Sequence, residues 1–142
     1  AVTITGTLDP ALKKVGFTDR RNMGFRSAFL LPADLEKRQA KQFTDLFRTM
    51  SGFRVTTSGL GQIVEGTRSS SGGAMAGCVN IFVDRVAFEQ MSAGDLDSAF
   101  PMSMIGAVET YASSTDTPAE FQMSGRACAT IVAWTKMRLA KP

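Results

Sequence analysis

Apolar residues recur along this chain in two rhythms. Phe43, Leu46, Phe47 and Met50 follow the i, i+3, i+4, i+7 spacing of one helix face. Ser51-Gly52 supplies a stop, so the spacing predicts a buried-faced helix over about 43–50. Upstream, Pro32 suits a first helical position, and Asp34 and Glu36 suit the positive end of a helix dipole. They predict a short helix over about 32–38. Three β-branched and apolar runs read as strands: Cys78 to Val83, ended by Asp84, Ile105 to Ala112 and Ala127 to Thr135, the last of them central. Phe53-Arg-Val-Thr56 is a further strand, and Ile63-Val64 a short one. Val2-Thr-Ile-Thr5 reads as a short strand or extended arm ended by Gly6 and Pro10.

Between these runs the reading is coarser. Residues 16–29 hold Phe17, Phe25 and Phe29 among glycines and arginines, which suggests a loop pinned by aromatics. Residues 58–77 are rich in glycine and serine. Ser92-Ala-Gly-Asp95 resembles a helix start, with Asp95 near its third position. Pro101 interrupts any long helix there. Thr117-Pro-Ala-Glu120 suits a single turn, and the basic tail from Lys136 is expected to fray. The pattern is α+β, with about four or five strands and two or three short helices.

The chain has 142 residues, the size of one domain. Charged residues are 20% and hydrophobic ones 44%, ordinary for a globular protein. No apolar run approaches the roughly 20 residues of a membrane helix. Histidine is absent, which excludes Ser-His-Asp and Cys-His machinery within the chain and removes the commonest zinc ligand. The net charge of +3 is too small to argue for nucleic acid. The surplus sits in residues 1–48, with nine Lys/Arg against five Asp/Glu.

Few side chains stand out as chemical. Gly59-Leu-Gly61 lacks the spacing of a phosphate loop. Asp95 and Asp97 diverge on a helix, which favours a cap and a solvated side chain over an acid pair. Glu109 lies in an apolar strand, either as a perturbed carboxylate or in a salt-bridged or edge position. Arg20, Arg21 and Arg26 lie near phenylalanines and read as solvated arginines beside aromatic anchors, with base stacking the rarer alternative. Cys78 and Cys128 each open a strand-like run. They read either as two buried thiols or as a disulfide joining adjacent strand starts. These residues nominate no cofactor, no metal and no catalytic centre.

Three ordered segments resemble the plug domain of TonB-dependent outer-membrane receptors. The first runs from Phe29-Leu-Leu-Pro-Ala-Asp-Leu-Glu36 through Phe43-Thr-Asp-Leu-Phe47 to Met50-Ser-Gly-Phe-Arg-Val55, with Ser51 in place of the family's proline. The second is Val79-Asn-Ile-Phe-Val-Asp84, where Arg85 replaces a glycine and puts the tight turn of that motif in question. The third joins Ile105-Gly-Ala-Val-Glu-Thr-Tyr111, Thr117-Pro-Ala-Glu-Phe121 and Cys128-Ala-Thr-Ile-Val-Ala-Trp-Thr-Lys136. Here Ser113-Ser114 replaces Gly-Pro, and Ala129 replaces a glycine. The paired cysteines resemble a barrel-less variant found with carboxypeptidase-regulatory-like modules.

The resemblance implies a plug-like fold over residues 16–137, with an extended arm at 1–15 and a frayed tail at 138–142. It implies a small mixed sheet and a non-catalytic, periplasm-facing module of an uptake receptor that gates a barrel and contributes to substrate binding. The alternative is a free-standing periplasmic or secreted interaction module that keeps the fold without a transport barrel. A 22-stranded barrel needs over ~200 residues at ~9–11 per strand, so a plug without a barrel is expected of this sequence. Val2, Thr3, Ile4 and Thr5 lie where the family's TonB box lies and would contact a TonB-type energy-coupling protein by strand addition. A periplasmic address would let a Cys78–Cys128 disulfide persist. Such a bond requires that the two strands be parallel neighbours.

Overall fold

The computed structural model describes residues 10–23, 27–59, 61–68, 77–123 and 127–140. Helix α1 occupies residues 10–14. There follow α2 (Phe17–Asn22), β1 (Ser27–Leu30), α3 (Pro32–Arg38), a 3₁₀ helix at Phe43–Phe47, β2 (Phe53–Ser58) and β3 (Gly61–Gly66). The second half comprises β4 (Val79–Val83), β5 (Val86–Phe88), α4 (Asp95–Ala99), β6 (Ile105–Tyr111), β7 (Ala129–Thr135) and α5 (Lys136–Leu139), with 3₁₀ turns at Ser114–Asp116 and Ala119–Phe121.

Five strands form a mixed sheet in the order β1-β6-β7-β4-β5, and β2-β3 is a separate hairpin. All seven residues of β6 and all seven of β7 are buried, because these strands carry apolar side chains toward both faces. On one face, Val108, Ile131 and Ile81 pack against Leu35, Phe43, Leu46, Phe47, Val64 and Leu96. These residues come from α3, the 3₁₀ helix, the hairpin and α4. On the other face, Ala107, Tyr111, Val132 and Trp134 pack against Leu12, Val15, Phe17, Phe121 and Leu139. The α+β class and the central place of β7 match the sequence expectations.

Several elements differ from those expectations. The helix expected over 43–50 is a 3₁₀ helix ending at Phe47. Asp45 accepts from the backbone N–H of Gln42, and the next turns close with i→i+3 bonds. Phe43, Leu46, Phe47 and Met50 are all buried nonetheless. Residues 10–14, read as part of an extended arm, are helical, and Leu12 anchors them in the core. Residues 16–29, read as a loop, contain α2 and β1. The tail read as frayed holds Leu139 at 3% exposure, because Thr135 accepts from the Arg138 N–H and starts α5. The tight turn after β4 survives without glycine: Asp84 and Arg85 both take left-handed backbone, φ 52 and 73. That geometry matches the twist of a two-residue hairpin.

Candidate functional site

Cys78 and Cys128 are joined by a disulfide with Cα atoms 5.2 Å apart. The register explains it. β4 and β7 run parallel with Val79 opposite Ala129, so the residues just before them lie side by side. The bridge sits at the end of the sheet where the Gly66 N–H donates to the Gly77 carbonyl, 2.9 Å away. It thereby ties the exit of the glycine-rich segment to the central strand.

On the α2 face of β6, Glu109 is fully buried. Its Oε1 accepts from Arg20 Nε at 2.7 Å and from the Tyr111 hydroxyl at 2.5 Å. Its Oε2 accepts from Arg20 Nη2 at 2.6 Å and from Trp134 Nε1 at 2.7 Å. Four donors therefore hold one carboxylate, which leaves it no open position for a substrate proton. Arg20 extends the network outward to Glu120 at 2.7 Å and to the Val15 carbonyl at 3.1 Å. Arg85 reaches the same carbonyl at 3.0 Å. Both guanidiniums lie over the Phe121 ring, at 4.9 and 5.7 Å, and beside Trp134.

The electrostatics follow from burial and pairing. Burial works against the charged Arg20, but the hydrogen bond and charge of Glu109, then the charge of Glu120, outweigh it. The net effect raises its pKa. Burial, then the charge and hydrogen bond of Glu109, push the Tyr111 phenol far above its ordinary 10.0, with Arg20 opposing.

Glu109 is salt-bridged, as one sequence reading had it, and it is not at an edge, since β6 lies between β1 and β7. Arg20 is not the solvated residue expected: it is 5% exposed. Arg21 is exposed, and Arg26 lies outside the described residues. Asp95 is not the helix cap expected: Gly94 holds the N-cap position of α4 without a side-chain cap, and Asp95 instead accepts from the N–H groups of Met91 and Ser92 and closes the turn ahead of the helix. Asp97 is not merely solvated: it accepts from the Thr44 N–H at 2.9 Å and the Thr44 hydroxyl at 2.7 Å. The Asp84 carboxylate similarly takes the N–H and hydroxyl of Thr135. Sequence reasoning missed the Arg20–Glu109–Tyr111–Trp134 constellation. The single carboxylate in an otherwise apolar strand was its available signal. Val2, Thr3, Ile4 and Thr5 lie outside the described residues. Among the described residues, no group of three His, Cys, Asp or Glu is placed to hold a metal ion. Nor is any helix there long and apolar enough to cross a membrane.

No family model matches the sequence, and no curated protein matches it. Solved structures do match the fold. The siderophore receptor PirA from Acinetobacter baumannii aligns with a TM-score of 0.55 at 18% identity over 78% of this chain. The ferric yersiniabactin uptake receptor FyuA from Yersinia pestis aligns at 0.51 and 16% identity over 79%. The fold is plug-like. The chain spans 17% of the length of either receptor, so the likeness concerns one part of each. The plug-like fold places the disulfide across the two parallel strands and the Arg20–Glu109 network beneath α1 and α2.

Proposed function

We propose that this chain is a plug-like module of an outer-membrane uptake receptor, facing the periplasm, gating a barrel lumen and contributing to substrate binding. The observation that carries the reading is the fold match to PirA over 78% of the chain. The three ordered sequence motifs support it independently. On this reading the partners are an outer-membrane barrel and a TonB-type energy-coupling protein, the latter engaged through Val2, Thr3, Ile4 and Thr5. The module itself is non-catalytic, and the fully occupied Glu109 carboxylate is consistent with that.

One observation favours a second reading, a free-standing periplasmic or secreted interaction module. Both faces of the sheet are covered by the chain's own apolar residues, so the core needs no barrel wall to complete it. Fractionation of cells producing the epitope-tagged full-length gene product separates the two. Retention in salt-washed outer membranes with a barrel-sized species supports the receptor. Release into the periplasmic extract or the medium supports the free module.

A further inference from the structure

A groove of about 400 Å³ opens beside the first strand of the sheet, at the end that carries the disulfide. Its floor is the buried Met50 and Ala112. Arg38, at the end of α3, and Arg68, just past β3, line it from two separate elements. Both are turned onto one turn of chain. Arg38 Nη1 donates to the Thr49 hydroxyl at 3.1 Å, and Arg68 Nη2 donates to the Ser51 hydroxyl at 2.9 Å. Thr67 N–H donates to the Gly52 carbonyl at 2.9 Å and holds the Arg68 segment against that turn.

A guanidinium has five N–H donors, and each of these two spends one on a neutral hydroxyl. Among the described residues neither meets a carboxylate, whereas Arg20, Arg48, Arg54 and Arg85 all do. Asp116 also lines the groove, but its Oδ2 accepts from Ser113 and it pairs with neither arginine. The lining therefore offers two arginines without a carboxylate partner, two hydroxyls and the one carboxylate of Asp116 over an apolar floor. Guanidinium and hydroxyl donors are the groups that recognise an oxyanion.

We propose that this groove is a binding site for a small oxyanion-bearing molecule, a carboxylate or phosphate held between Arg38 and Arg68 with its carbon skeleton on Met50 and Ala112. The proposal rests on the groove alone and holds whether or not the chain gates a barrel.

The test titrates the isotopically labelled full chain with succinate and, separately, with inorganic phosphate at constant low ionic strength, followed by amide chemical shifts. Saturable shifts confined to Thr49, Ser51, Arg68, Thr110 and Ala112 are expected for at least one anion. The Arg38→Gln/Arg68→Gln double variant should bind at least tenfold more weakly with an unchanged thermal midpoint, because both side chains are exposed. Arg54→Gln, on the hairpin, should bind as the wild type does. A saturable response to succinate alone assigns a carboxylate ligand, and to phosphate alone a phosphate ligand. No saturable shift with either anion, or undiminished binding by the double variant, overturns the proposal. Because no barrel or coupling protein is present in the assay, neither result bears on the receptor reading.

Discussion

The guanidinium of Arg20 meets the carboxylate of Glu109 through two parallel hydrogen bonds, 2.7 and 2.6 Å, across 89 positions of sequence. The pair fixes α2 onto the middle of the sheet, with both side chains at 6% exposure or less. Removing one partner leaves the other charge buried and unpaired. Arg20→Ala or Glu109→Ala is therefore expected to cost about 3–5 kcal/mol in urea denaturation. A loss under about 1 kcal/mol would contradict the role assigned to the pair.

Tyr111 is the chain's one tyrosine, so phenolate absorbance reports on it alone. Its folded pKa is raised above 10.0, meaning that the folded state holds the proton more tightly than the unfolded chain does. The corresponding stability is fully present below pH 10 and is lost as the pH rises beyond it, at up to about 1.4 kcal/mol per unit. The expected result is no tyrosinate signal while near-UV ellipticity persists, with both changing together on alkaline unfolding. Reversible titration near pH 10 in the folded protein would contradict this.

The strands that are apolar on both faces, β6 and β7, were legible because burial writes them as continuous runs. The parallel β4–β7 pairing was accessible only as a condition on the cysteines, since register is set between segments and not within them. The Arg20–Glu109 pair was illegible for the same reason. Arg20 looks like any basic residue beside a phenylalanine until α2 is docked. The 3₁₀ winding at Phe43–Phe47 escaped the spacing argument because that spacing marks the buried face and not the hydrogen-bond step, and the tie of Thr44 to Asp97, 53 residues away, cannot be read within the segment. The turn at Asp84 and Arg85 looked doubtful without glycine. Arg85 keeps it by reaching the Val15 carbonyl and the Phe121 and Trp134 rings, contacts that offset the cost of left-handed backbone.

The disulfide closes a loop with a sequence separation of 50. In the chain-entropy picture this contributes about 4 kcal/mol. The Cys78→Ser/Cys128→Ser variant should show a correspondingly lower urea midpoint. Alkylation of unreduced, denatured wild type should add no label. Two labels would mean that no bridge exists.

Leu46 is 1% exposed and packs in the core between the 3₁₀ helix and the sheet. Leu46→Ala is expected to cost about 2–5 kcal/mol. A urea-melt loss below about 0.5 kcal/mol would remove this residue from the core. Gly52 offers a backbone counterpart: its φ is 92, and a Cβ there would lie 2.4 Å from that of Ala112. Gly52→Ala should cost about 2 kcal/mol or more, and a thermal midpoint equal to wild type would show that the turn can shift freely.

The proposed function has the plug-like chain closing a barrel. Planar-bilayer conductance of the purified outer-membrane complex, compared with that of a full-length gene product lacking residues 10–140, tests it most directly. A closed pore is expected with these residues and a large open conductance without them. Equal conductance in the two preparations would contradict it.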